Sequence, residues 1–238
     1  MSEMIPLFPL RLVLVPGLEL PLHIFEHRYR LLVQHLLSRP EAEREFGIVA
    51  MKIGLDSSPD AEEPEETTGL PRIHSIGTTA LLQDTTRLPD GRYEIDTIGT
   101  RRFRILDLDQ TEPYLQARVE FLDEPLVTAD DGAAAEEDVI DLSDMTRIVQ
   151  RRFMAYRELL TDEELDSPLP DDPTALSYFV VAALVHELSV CQRLLEVPDT
   201  RSRLVAEAAV LRDEEVLIDQ LGSLPDTTLL DTATWSAN

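Results

Sequence analysis

The sequence predicts an α+β fold in which a β-rich front half is followed by a helical back half. Three observations carry that expectation. Up to residue 122 the apolar residues fall in short runs, several of them alternating with polar ones and separated by proline or glycine. From residue 139 onward they recur every three or four positions, the period of a helix face. Strands and helices do not alternate as βαβ units, so the front half reads as a barrel-like or sandwich sheet.

Taken in order, Ile5–Leu10 and Leu18–Leu22 are apolar pieces parted by the turn signal Pro16-Gly17. Leu22, Phe25, Tyr29, Leu32 and Leu36 then follow one another at helical spacing, which predicts one face of a helix that Pro40 limits. Phe46–Ile53 reads as a buried strand. The stretch 56–71 is acidic, contains proline and has too little apolar content to pack, so it is expected to be an exposed loop.

Strand character resumes at Ile73–Leu82. Pro89-Asp90-Gly91-Arg92 reads as a turn, with Gly91 able to supply a positive φ. Beyond it Tyr93, Ile95 and Thr97 alternate with Glu94 and Asp96, the signature of a half-buried strand. Phe103–Leu108 and Tyr114–Leu122 complete the set of short strands.

In the back half, Val139, Leu142, Thr146, Val149, Phe153, Tyr156 and Leu160 mark one stripe of a long helix expected to start near Ala133. Asp172-Pro173 combines a capping carboxylate with a proline suited to a first helical position. The helix predicted over Ala175–Leu188 is apolar nearly all round, as at the centre of a bundle. Asp199-Thr200 offers caps for a last helix whose face is Leu204, Ala208, Leu211, Ile218 and Leu221, with Gly222 as its stop. The expected boundaries are therefore 1–122 for the β-rich domain, 123–222 for the helical bundle and 223–238 for a loose tail.

The 238 residues are 43% hydrophobic, enough for a substantial core. Acidic residues number 46 against 21 basic ones, a formal charge of −25. Such a balance argues against a sequence-independent binder of phosphate backbones and against an anionic membrane surface as partner. The charge is local: segments 56–71, 123–144 and 158–172 hold six, nine and seven carboxylates and no base. Residues 5–30, by contrast, set Glu19 and Glu26 against Arg11, Arg28 and Arg30.

Lys52 is the sole lysine and Cys191 the sole cysteine, which excludes an internal disulfide and cysteine-based zinc sites. Glu3 and the prolines at 6, 9 and 16 interrupt any signal-peptide hydrophobic region, and Ala175–Leu184 is too short to span a bilayer. A cytoplasmic location is the resulting expectation.

Catalytic motifs are sparse. Lys52 lies in Met51-Lys52-Ile53, so no P-loop exists, and neither G-x-G-x-x-G nor G-x-S-x-G occurs. His23 and His27 have i, i+4 spacing with Glu26 between them, but no third ligand accompanies them, and no metal or other cofactor is predicted. Arg101, Arg102, Phe103 and Arg104 form the densest basic cluster. Strand alternation there turns Phe103 inward and Arg102 and Arg104 outward to pair with acids. The alternative is an anion or nucleic-acid contact in which the aromatic stacks.

Several blocks together resemble the N-terminal domain of Lon proteases, a domain also found as a free-standing small bacterial protein and in cereblon. They are Ile5-Pro6-Leu7-Phe8-Pro9-Leu10, Val15-Pro16-Gly17, and Leu20-Pro21-Leu22-His23-Ile24-Phe25-Glu26 with Arg28-Tyr29-Arg30. Phe46-Gly47-Ile48-Val49, Ile76-Gly77-Thr78, Gly91-Arg92-Tyr93, Gly99 with Arg101-Arg102-Phe103, and Pro113-Tyr114-Leu115 continue the match. Gln192-Arg193-Leu194-Leu195-Glu196 and Arg203-Leu204 extend it into the helical half. His27 departs from the family, which usually has proline there.

The resemblance implies a PUA-like β pseudobarrel followed by a helical bundle. It also implies a non-catalytic protein-binding role, since the ATPase and Ser–Lys protease modules of a full Lon chain do not fit in this one. In the parent proteins the domain helps recognise substrates and supports oligomer assembly. The expected partners are thus unfolded or extended polypeptide, a protease that this chain would serve as adaptor, and further copies of itself.

A sheet edge, with an apolar groove between barrel and first helix, would take such a chain by strand addition. The candidate contacts are His23, Phe25, Arg28, Tyr29, Arg101, Arg102 and Phe103, although Phe25, Tyr29 and Phe103 read first as core. Two alternatives remain: an RNA-binding protein, by analogy with the PUA-like fold alone, and a small hydrolase using His23 and Glu26.

Overall fold

The computed structural model describes residues 2–52, 72–127, 141–161, 168–184 and 187–221, the last five without their side chains. Six strands come first: β1 (Ser2–Leu10), β2 (Glu19–Ile24), β3 (Glu45–Ala50), β4 (Ile76–Arg87), β5 (Tyr93–Asp109) and β6 (Gln116–Phe121). Helix α1 (His27–Leu37) lies between β2 and β3. Helices α2 (Leu142–Leu160), α3 (Pro173–Ala183), α4 (Leu188–Glu196) and α5 (Thr200–Leu221) form the back half. The α+β expectation holds.

Five strands close on themselves. β5 pairs with β4, β4 with β3, β3 with β1, β1 with β6, and β6 returns to β5. Only the β1–β3 ladder is parallel. Register shifts in the β4–β5 and β5–β6 ladders supply the local twist that closure demands. β2 stands outside the ring, paired to the first half of β5 alone.

The two runs expected as separate strands at 93–98 and 103–108 are one strand, β5. Its first half pairs with β2 and its second half with β6, while β4 spans both. Gly99 lets it run through, since a Cβ there would lie 2.2 Å from the Val15 carbonyl oxygen. Gly91 turns the β4–β5 hairpin at φ 83°, as its place in the turn predicts.

Helix α1 is shorter at its start than the spacing suggested. Leu22 belongs to β2, Phe25 is exposed and the helix begins at His27, so His23 and His27 never share a helical face. Its buried side is Tyr29, Leu32, Val33 and Leu36. These pack with Leu14, Ile24, Phe46, Tyr93, Ile95 and Tyr114 on one flank of the ring. Ile5, Leu7, Val49, Phe103, Ala117 and Val119 form a second cluster.

The helical half buries Met145, Val149, Phe153 and Tyr156 of α2 against Leu176 and Val180 of α3 and Leu204 and Leu211 of α5. Helix α2 starts at Leu142 behind an extended Asp141, while the expected start near Ala133 lies outside the described residues. Asp172 caps α3 by accepting from the Ala175 N–H, and Pro173 occupies the first turn. Asp199 caps α5 through the Ser202 N–H.

The helix expected over Ala175–Leu188 is instead two. α3 ends at Ala183, Leu184 is extended and buried, and α4 opens at Leu188. Neither proline nor glycine marks this break, so packing of Leu184 into the helical core overrides local propensity. Loop 56–71, the tail 223–238 and the Gly222 stop lie outside the described residues. Among the described residues no helix is long and apolar enough to cross a membrane.

Candidate functional site

The groove expected between barrel and first helix is filled. Tyr29 stacks on Phe8 with ring centroids 3.9 Å apart, and Leu32 and Leu36 are sealed beneath it. Tyr29 therefore presents no apolar face to a ligand, and burial raises its hydroxyl pKa.

The basic cluster is dispersed among structural roles. Arg101 is exposed, pairs with Glu45 at 2.8 Å and lies over the Phe121 ring at 3.8 Å. Arg104 faces Glu120 at 3.6 Å. Phe103 points inward and is fully buried, as alternation predicts. Arg102 departs from that expectation: it is 1% exposed and turned toward the helical half. Its guanidinium donates to the Leu195, Val197 and Pro198 carbonyls at 2.7, 2.6 and 3.3 Å and to both oxygens of Glu124.

Glu124 in turn accepts from Arg203, also fully buried, whose Nε donates to Ser177 Oγ. Ser177 donates to Glu207, a carboxyl that burial pushes well above the usual range. Gln192 donates to the Ile76 carbonyl at 3.1 Å. Together these groups bolt the ring to the bundle, and Arg102 and Phe103, both expected as peptide contacts, are buried in it.

What remains open is the β2 edge. Among the described residues no strand pairs with the far side of β2. The Leu18 carbonyl accepts from the Gly99 N–H at 2.9 Å, so by strand alternation Leu20, Leu22 and Ile24 turn their backbones to β5. Glu19, Pro21 and His23 turn theirs outward. Pro21 has no N–H to offer, which blunts the edge at its middle, while no described strand takes up the N–H of His23.

The edge ends in an aromatic shelf. Phe25 is 63% exposed and lies beside His23, with centroids 6.4 Å apart and planes 25° from parallel. Arg92 donates to His23 Nε2 at 3.1 Å and is itself paired to Asp90. Glu26 pairs with Arg28 at 2.8 Å. His23 and Glu26 thus have separate partners and do not form the hydrolytic pair weighed from sequence. Of the expected contact residues, His23 and Phe25 lie side by side, Arg28 is exposed three residues further on, and Arg101 is exposed but engaged elsewhere.

Three acids complete this face and were not singled out by sequence. Pro21 and His23 stand opposite Asp96 and Glu94 on β5, and these stand opposite Asp84 and Thr86 on β4. All six are exposed. The alternation of Glu94 and Asp96 was visible, but which strands would flank them is a property of the topology.

Comparison with known proteins follows the same lines. Residues 4–213 match the family described as the ATP-dependent protease La (LON) substrate-binding domain. Lon protease 2 of Syntrophobacter fumaroxidans is 26% identical over 205 residues, covering 86% of this chain and 24% of that protein. Lon protease of Escherichia coli K12 is 28% identical over 215 residues, covering 88% of this chain and 25% of its own length. The chain thus spans about a quarter of these relatives.

Among solved structures, a Lon N-terminal domain protein from Xanthomonas campestris superposes with a TM-score of 0.54 at 19% identity, covering 94% of this chain and 99% of that one. The N-terminal domain of the Mycobacterium avium complex Lon protease does so at 0.55 and 18%, covering 90% and 98%. The family match runs through both ring and bundle, and on that ground the chain belongs to the Lon substrate-binding domain family.

Proposed function

We propose that this protein is a non-catalytic module that binds extended polypeptide by adding a strand to the β2 edge, and that it works as an adaptor in proteolysis. The observation that carries this reading is the outward backbone of Pro21 and His23, which no described strand pairs, flanked by exposed Phe25. An edge of this kind recognises main chain, which every unfolded protein offers, and an aromatic beside it adds apolar contact without demanding one sequence. Membership of the substrate-binding family supports the same role.

His23→Pro tests it. The His23 N–H faces away from β5, so the substitution deletes an outward donor and leaves the ladder intact. Binding of a reduced, carboxymethylated model protein, followed by fluorescence anisotropy, should weaken at least about threefold, through loss of that hydrogen bond and of the His23 ring from the shelf. Circular dichroism should be unchanged. Equal affinity in the variant, or no binding by the parent protein, would sink the proposal.

A further inference from the structure

Resting on that reading of the β2 edge, we infer that the polypeptide it selects is cationic: an extended segment with Lys or Arg at alternate positions and a large apolar residue at one end. The outer face of β2, β5 and β4 carries Asp84, Glu94 and Asp96, all exposed. Asp84 and Asp96 are direct cross-strand partners, an arrangement of like charges that costs stability in the isolated protein. None of the three has a salt bridge among the described residues. Two basic groups close by in the chain are already engaged, Arg92 by Asp90 and Arg28 by Glu26. Arg87 reaches instead over the Tyr93 ring on the opposite face.

Distance makes the match specific to long side chains. An added strand would lie about 4.8 Å from β2 and about 10 Å from β5. Side chains of the added strand alternate between faces, so every second one stands over the acidic side. Among the described residues, only Pro21 and His23 lie between it and Glu94 or Asp96. Pro21 is compact and carries no charge, and His23 is hydrogen-bonded to Arg92. A short side chain would stop above Pro21. The extended stem of Lys or Arg lies across it and brings the charged head to Asp96 or Glu94, much as such stems cover apolar surface elsewhere. At the far end, Phe25 and the His23 ring offer the shelf for the apolar residue.

The experiment compares short fluorescent peptides of equal length, identical except that alternate positions are Lys, Ser or Glu, each with one terminal Phe. Binding to the full chain is measured at low and high salt. The Lys peptide should bind at least tenfold more tightly than the Ser peptide, and the Glu peptide least. Asp84→Asn, Glu94→Gln and Asp96→Asn together should erase the Lys-over-Ser preference. Asp107→Asn, Glu158→Gln and Asp213→Asn, which remove the same charge from exposed sites elsewhere, should leave it.

Lys and Ser peptides binding alike, or a preference equally lost in the control triple, overturns the cationic specificity while the strand-addition reading stands. Binding of no peptide, with His23→Pro also without effect on unfolded protein, removes both. A concentration-dependent dimer that His23→Pro dissolves would put a second copy on the edge and overturn the inference as well.

Discussion

Arg102 shows how much a single side chain can carry. Its guanidinium satisfies three carbonyls at the end of α4 and shares Glu124 with Arg203. Removing it leaves those acceptors buried and unmet, a class of change that costs about 3–5 kcal/mol. Arg102→Ala should therefore lower the melting temperature by roughly 10 °C, given about 2–4 °C per kcal/mol for a chain of this size. A drop within error in scanning calorimetry would show that the clamp is dispensable.

Glu207 gives a prediction with a sign. Burial raises its carboxyl pKa, opposed by Ser177 and Arg203, so the folded state holds the proton more tightly than the unfolded chain. That contribution is complete below the unfolded carboxyl pKa and is lost as pH rises through the folded one. Glu207→Gln should accordingly melt near the parent protein in acid and above it at alkaline pH. A variant that falls below the parent as pH rises would mean that Glu207 is ionised and holds Arg203 as an ion pair. The sequence shows both residues four apart on a helix but not that neighbouring elements bury them.

Elements were legible to the extent that they are decided locally. The Asp172-Pro173 cap is such a case, and Asp172→Ala should cost about 1 kcal/mol, seen as a fall of roughly 2–4 °C in melting temperature. An unchanged melting temperature would show that α3 is held by its apolar packing alone. Elements decided by their surroundings were not legible. Phe25 falls in step with Tyr29 and Leu32, yet β2 claims the chain as far as Ile24 through its ladder with β5. Arg102 alternates correctly with Phe103 and is nonetheless buried, because the helical half covers that stretch of the sheet. The break between α3 and α4 has the same origin.

At the scale of the molecule, the boundary at residue 122 separates two chain segments that share one interior. Val15, between β1 and β2, and Ile76 of β4 belong to the helical cluster, Gln192 ties α4 to β4, and Arg102 spans the join. The protein should unfold in one cooperative step, with amides of β4 and α3 exchanging at the same free energy in native-state hydrogen exchange. Two separate transitions would refute this. The α+β layout was readable because burial patterns follow sequence period. The candidate site was only half readable: His23, Phe25 and Arg28 are adjacent in sequence, while Asp84, Glu94 and Asp96 join them only through strand pairing.

Pro21 carries one more consequence. A foreign strand laid along β2 meets a single missing donor, but two copies of this chain joined edge to edge would each bring one, leaving two gaps in a six-residue ladder. The edge is therefore a poorer match for itself than for a stranger. On the strand-addition reading proposed above, that asymmetry would favour a foreign chain over a second copy.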